Sequence, residues 1–151
     1  MEANTLRLGN YVTIDNPDSW SKLQDIPMVV TSISNEIEPL AQISFYKSDG
    51  AISVKNGDNN YHQFSEFISP IPLSEEWLLK LGFEEIYNSE YTHKFELTQD
   101  VSFEYRFEKF NNASGMTGLT YYGRLLGKIK HVHQLQNLFY SITGQELTIK
   151  D

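Results

Sequence analysis

The sequence contains no cysteine, so disulfide bonds and thiolate metal sites are excluded. This absence fits a cytoplasmic location better than a secreted one. No apolar stretch approaches the roughly 20 residues that a membrane-spanning helix needs. The N-terminus also lacks a basic segment followed by an apolar run, which would indicate a signal peptide. We therefore expect a cytoplasmic protein that does not act at a membrane.

Catalytic and cofactor motifs are missing as well. There is no Gly-x-Ser-x-Gly nucleophile elbow, no Walker phosphate-binding loop and no Rossmann glycine fingerprint. The adjacent carboxylates at 84–85 do not predict an acid–base pair, because neighbours in a strand point to opposite faces. The pair at 75–76 is explained by the start of a helix. We expect a protein that is not an enzyme and that binds no cofactor.

The composition is that of a folded, acidic protein. With 151 residues the chain can bury a core as one domain or as two small subdomains. Aromatic residues make up 13%, which favours strands. Residues 1–100 hold 6 Lys and Arg against 16 Asp and Glu, a charge of −10, whereas residues 101–151 hold 6 against 4, or +2. Because the first part would repel phosphates, we do not expect nucleic acid as the main partner.

Residues 70–83 (Pro-Ile-Pro-Leu-Ser-Glu-Glu-Trp-Leu-Leu-Lys-Leu-Gly-Phe) predict a short helix with both ends marked. Ser74 is expected to cap its start, and Gly82 is expected to adopt the left-handed conformation at its end. The apolar side chains of this segment recur three or four positions apart: Leu73, Trp77, Leu78 and Leu81. Such a short helix is not stable alone, so the stripe is expected to pack on a sheet.

Five short strands are predicted before this helix. They are residues 10–14, 28–33, 41–47, 51–55 and 61–64. Segments 48–50 and 56–58 supply glycine-containing tight turns, and this density of strands and turns indicates a small SH3-like β-barrel. The two prolines that follow should bar a strand from continuing. We therefore predict a barrel subdomain at 1–68 and a second subdomain at 69–151.

Residues after the central helix predict an antiparallel meander and a second helix. The predicted strands are 83–87, 91–97, 101–108 and 119–126, and 146–149 could close the sheet as an edge strand. Segment 111–118 is predicted to be a polar loop. Helix 131–143 has one apolar stripe and ends at Gly144. The expected fold class is α+β, a small N-terminal SH3-like β-barrel followed by an antiparallel β-meander packed with two helices.

The candidate interaction surface combines two tyrosines with the only basic run of the chain. It consists of Tyr121, Tyr122, Arg124, Lys128, Lys130, His131 and His133. Tyrosine rings can stack on a base, a sugar or a peptide. A charge run of this kind more often serves solubility, however. Binding of nucleic acid through the three basic residues is kept as a third hypothesis.

His131 and His133 are poorly spaced for binding a metal from within a helix. Side chains two residues apart on a helix diverge by about 200°, whereas helical metal pairs use a spacing of three or four. The two rings could converge only if His131 lies before the helix begins, and we expect no metal site. Gln134, Gln136 and Asn137 could form a polar network against the sheet or face a partner, and the sequence leaves both open.

Three segments resemble a known group of sequences. They are residues 6–12 (Leu-Arg-Leu-Gly-Asn-Tyr-Val), the central segment 70–83, and residues 131–139 with 143–147. In these segments the chain resembles short uncharacterised proteins encoded by phages, prophages and mobile elements of gut anaerobic bacteria. The resemblance implies a phage or mobile-element setting in a bacterial cytoplasm. It implies no activity and no functional residues.

Together these observations predict a non-enzymatic protein–protein interaction module of a phage or mobile element. Another protein would bind at the C-terminal helix, at the 111–123 loop or at the edge of the barrel. The alternative is an acidic anti-defence inhibitor that occupies a basic nucleic-acid-binding groove of a host enzyme. The negative charge of residues 1–100 motivates that alternative.

Overall fold

The computed structural model shows two compact units, Met1–Ile71 and Pro72–Asp151. It describes residues 5–15, 23, 26–34, 50–88, 92–98, 101–106, 116–121, 124–127 and 129–150. Antiparallel strands predominate and two α-helices are present, so the α+β class is confirmed. Among the described residues, no helix is both long enough and apolar enough to cross a membrane.

Unit 1 is a five-stranded antiparallel sheet in the order β4-β3-β2-β1-β5. Its strands are β1 (Tyr11–Ile14), β2 (Met28–Ser34), β3 (Ala51–Asn56), β4 (Asn59–Phe64) and β5 (Ile68–Pro70). A 3-10 turn at Ser65–Phe67 leads into β5. Alternate residues of these strands point to one face, and they form the buried core of this unit together with Leu6: Val12, Ile14, Met28, Val30, Ile52, Val54 and Ile68.

Strand β5 corrects one expectation. The proline-containing exit from the first subdomain was expected to bar a strand, yet Ile68–Pro70 pairs with β1, and Pro70 lies opposite Val12. Proline lacks a backbone N–H, so sheets accept it in edge strands such as this one. In the described part of the chain the sheet does not close into a barrel. The predicted strand 41–47 lies outside the described residues.

Unit 2 is a second five-stranded antiparallel sheet with two helices, in the order β10-β9-β8-β7-β6. Its elements are α1 (Glu75–Lys80), β6 (Glu84–Asn88), β7 (Thr92–Thr98), β8 (Val101–Arg106), β9 (Met116–Tyr121), β10 (Arg124–Gly127) and α2 (Val132–Thr143). Consecutive strands pair throughout, so the predicted meander is confirmed.

The short helix α1 has the predicted ends. The backbone N–H of Trp77 donates to Ser74 Oγ at 3.3 Å, and Gly82 has a φ of 86°. Glu76 and Lys80, one turn apart on the helix, form an ion pair at 2.7 Å. All four members of the predicted apolar stripe are buried: Leu73, Trp77, Leu78 and Leu81.

Two predictions for the segment around β9 were wrong. Residues 119–121 lie in β9 and residues 124–126 in β10, and these two strands pair with Tyr121 opposite Arg124. Gly123 lies between the two strands in the sequence, and glycine is typical of tight hairpin connections. β9 begins at Met116, so the end of the predicted loop 111–118 is strand.

The expected edge strand at 146–149 is not a strand. The backbone N–H of Lys150 instead donates to the carbonyl of Lys80 at 2.9 Å, and Leu147 is buried. The C-terminal segment therefore packs beside the end of α1 rather than extending the sheet.

Candidate functional site

The two closely spaced histidines lie together where α2 begins. His131 is the N-cap residue and has extended backbone, with φ −132° and ψ 152°. Its ring stacks on that of His133, with centroids 5.7 Å apart and planes inclined by 12°. Because His131 lies before the first helical residue, the two side chains converge, which a spacing of two within a helix would prevent.

His133 is buried and neutral. It is only 3% exposed, and its Nδ1 is enclosed without a hydrogen-bond partner among the described residues. Burial, and secondarily the charge of His131, lower the pKa of His133 to about 4. A neutral imidazole can ligate a metal, but no three metal-ligating side chains of the described chain come together. His133 thus packs within unit 2 against the ring of His131.

The glutamines near the start of α2 hydrogen-bond to the backbone of their own unit. Gln134 Oε1 accepts from the backbone N–H groups of Lys130 at 3.0 Å and His131 at 3.3 Å. Gln136 is buried, and its Nε2 donates to the carbonyl of Leu147 at 2.9 Å. Gln136 therefore belongs to an internal polar network, whereas Gln134 caps the start of α2 from an exposed position.

The structure places only part of the predicted interaction surface. Tyr122 and Lys128 lie outside the described residues, and for Tyr121 and Arg124 only the backbone is described. Those two residues face each other across the β9–β10 pair. Lys130 is exposed and precedes the stacked histidines directly.

Strand β6 is a candidate binding surface that the sequence analysis missed. All five of its residues are exposed. β6 lies at the end of the second sheet, and no other strand of the described chain pairs with its outer side. Ile86 is 48% exposed and Tyr87 is 55% exposed. An open strand edge that presents apolar side chains is a template for pairing with another chain.

A β-bulge determines which face Tyr87 occupies. Glu85 pairs with Phe95, and Tyr87 pairs with Lys94, so Ile86 is the extra residue of β6. Directly paired residues share a face of the sheet, and Phe95 points into the core. Tyr87 and Lys94 therefore lie on the opposite face.

The same face carries two carboxylates. Glu84 pairs directly with Glu96, which lies two positions from Lys94 along β7 and so on its face. We call this group of residues the β6 patch: Glu84, Ile86, Tyr87, Lys94 and Glu96. It combines an aromatic ring, an apolar side chain and two adjacent carboxylates at an open sheet edge. Polar and apolar residues do not alternate regularly along β6. Its exposure results from its position at the end of the sheet, and a local sequence pattern does not predict that position.

Unit 1 contains a serine–histidine contact of the kind that forms part of a catalytic triad. Ser53 Oγ lies 2.8 Å from His62 Nδ1, across β3 and β4. A nucleophile and base at this distance need a third group that orients the base. Among the described residues His62 has no such partner, and its side chain is exposed on the strand surface. The contact is accounted for as a cross-strand hydrogen bond.

Comparison with known proteins found no match. No protein-family model matches the chain, and neither does a curated protein or a solved structure.

Proposed function

We propose that this protein is a non-enzymatic protein–protein interaction module. The observation that carries the proposal is the open edge of β6, with Ile86 and Tyr87 about half exposed. An unpaired edge strand has a row of free backbone donors and acceptors that can pair with another polypeptide chain. Proteins therefore usually cover or shorten their edge strands, or place charged side chains on them. An edge that keeps two large apolar side chains in water supports binding of a partner.

The proposal retains the setting inferred from the sequence resemblance, a phage or mobile element acting in a bacterial cytoplasm. It also retains a small SH3-like barrel for unit 1. In support of the barrel, β1 pairs with both β2 and β5. The first and last strands of the unit therefore lie side by side, as they must in a closed barrel.

The experiment is affinity capture of the tagged full chain from a lysate of its natural host, followed by mass spectrometry. We expect one dominant protein to be retained at moderate salt by the wild type and to be lost from the variant Ile86→Ser/Tyr87→Ser. Tyr140→Ser is the matched control, because Tyr140 is a tyrosine 40% exposed on α2. Circular dichroism establishes that each variant is folded.

The Tyr140→Ser control also shows which surface binds the partner. Loss of the partner from Tyr140→Ser alone would show that it binds at α2, one of the surfaces expected from the sequence. Equal retention by all three proteins would contradict a role for β6. A wild-type protein that is folded and retains nothing would contradict the interaction function itself.

An acidic inhibitor of a host enzyme is the second candidate function. The observation that favours it is the direct pairing of Glu84 with Glu96 in a chain of net charge −8. Such an inhibitor would occupy a basic groove, and its affinity would fall steeply as salt is raised. A captured partner that is a nucleic-acid enzyme and elutes at moderate salt would favour this candidate.

A further inference from the structure

Resting on the proposed interaction function, we propose that β6 binds an extended, arginine-containing segment of its partner, which pairs with the edge as an additional strand. The charges, the bulge and the spacing of side chains in the β6 patch point to a segment with two arginines separated by one residue.

The charge of the β6 patch favours a cationic occupant, because its two carboxylates, Glu84 and Glu96, outnumber its one cation, Lys94. Glu84 and Glu85 are both exposed on β6, and Glu96 lies directly opposite Glu84. Like charges directly opposite each other destabilise a sheet. Within the described chain neither Glu84 nor Glu96 forms an ion pair. A cationic side chain placed beside them would relieve their repulsion, so binding and stabilisation are coupled at this position.

The same charges argue against a second copy of this chain as the occupant. Pairing of two β6 edges would place Glu84 and Glu85 of both copies along one short seam. Like charges brought together along this seam repel one another even when partly screened by salt. The acidic edge thus disfavours self-association while leaving a basic strand free to pair.

The bulge at Ile86 provides the second contact. It places Tyr87 on the face that Glu84 and Glu96 occupy. A guanidinium stacks favourably on a tyrosine ring, and its planar fork binds a carboxylate through two hydrogen bonds. Lysine lacks both the plane and the fork, so arginine is the better match to this combination.

The spacing of the patch matches a strand. Its two rows, Glu84 with Glu96 and Tyr87 with Lys94, are separated by two residues of β7, or about 6.6 Å. Alternate side chains of an added strand are separated by the same distance and point to the same face. One arginine would therefore lie beside Glu84 on β6 while the next same-face arginine lies beside Tyr87.

The test is a titration of the ¹⁵N-labelled full chain with the peptide acetyl-GTVRVRVTG-amide at neutral pH and low salt, monitored by NMR. We expect amide shifts in β6 and β7 and weaker binding of the peptide with lysine at both arginine positions. Glu84→Gln/Glu96→Gln should weaken the arginine peptide at least tenfold, and Tyr87→Ala should weaken it about threefold. Glu66→Gln, an exposed carboxylate of unit 1, is the control and should leave affinity unchanged.

Three results would overturn the inference: no shifts in β6 and β7, equal affinity for the double glutamine variant, or equal affinity for a peptide with glutamate in place of arginine. The capture experiment distinguishes this failure from failure of the interaction function. If Ile86→Ser/Tyr87→Ser loses a captured partner while the arginine peptide does not bind, the function stands and the partner chemistry is wrong. If the capture also shows no dependence on β6, the binding site is wrong as well, and the interaction function itself fails only if the folded wild type retains no protein.

Discussion

The imidazole of His133 stacks on that of His131 at 5.7 Å, and no described residue hydrogen-bonds to its buried Nδ1. Three features oppose a proton on His133: its burial, the neighbouring His131, and its place in the first turn of α2, at the positive end of the helix dipole. The entry to α2 also contacts the entry to α1, because Leu73 N–H donates to the Lys130 carbonyl at 2.9 Å. Protonation of His133 would therefore disturb the packing of unit 2 where the starts of α1 and α2 meet.

Stability of unit 2 should therefore decrease in acid. The pKa of His133 is about 4 in the folded protein and 6.5 when unperturbed, so below pH 6.5 the unfolded chain binds a proton that the folded chain excludes. The contribution is fully present above pH 6.5 and is lost progressively as pH falls toward 4, by up to roughly 3 kcal/mol. Hydrogen exchange of α2 amides at pH 7.5 and pH 5 measures it.

The matched variants for this prediction are His133→Phe and His62→Gln. The first should remove most of the pH dependence of α2, because it leaves no group to protonate. The second replaces an exposed histidine of unit 1 and should leave that dependence intact. Identical pH dependence in the wild type and in His133→Phe would show that another group controls the acid response.

The cap of α1 should contribute measurably to stability. In Ser74→Ala the hydroxyl that accepts from the Trp77 N–H is lost, leaving an unpaired donor at the helix start. The expected loss of unfolding free energy is about 1 kcal/mol, measured by urea denaturation. Ser141→Ala is the control, since Ser141 is exposed within α2 and alanine has the higher helix propensity. An equal loss in both variants would contradict a specific capping role.

The ends of α1 could be predicted because the signals are local. Ser74 and Gly82 act on backbone groups within a few residues, so their meaning can be inferred from neighbouring positions. The exposure of Tyr87 depends on β6 being the last strand of the sheet and on a bulge at Ile86, and both arise from pairing with a distant segment. The burial of His133 likewise depends on α2 beginning one residue after His131, a boundary that sequence patterns locate only approximately.

Buried Gln136 should hold the C-terminal segment. Its Nε2 donates to the Leu147 carbonyl at 2.9 Å, and both residues are buried. Gln136→Leu keeps much of the volume but leaves a buried acceptor without this donor, which should lower stability by about 1–3 kcal/mol. Hydrogen exchange at residues 146–150 should accelerate more than in α1. Uniform acceleration across unit 2 would indicate general destabilisation instead of release of this segment.

The carboxylate pair at the sheet edge should lower stability in the absence of a partner. Glu84→Lys replaces the repulsion with Glu96 by an attraction across the same pair. We expect the unfolding free energy to rise by about 0.5 kcal/mol at low salt, and the gain to shrink at 1 M salt, where the Debye length is about 3 Å. Glu66→Lys, an exposed glutamate of unit 1, should give a smaller change. A stability gain in Glu84→Lys together with lost binding of the arginine peptide would mean that Glu84 lowers the stability of the fold but is needed for binding. A loss of stability would mean instead that Glu84 is held by a contact other than its pairing with Glu96, and the repulsion at the edge would no longer explain the choice of partner.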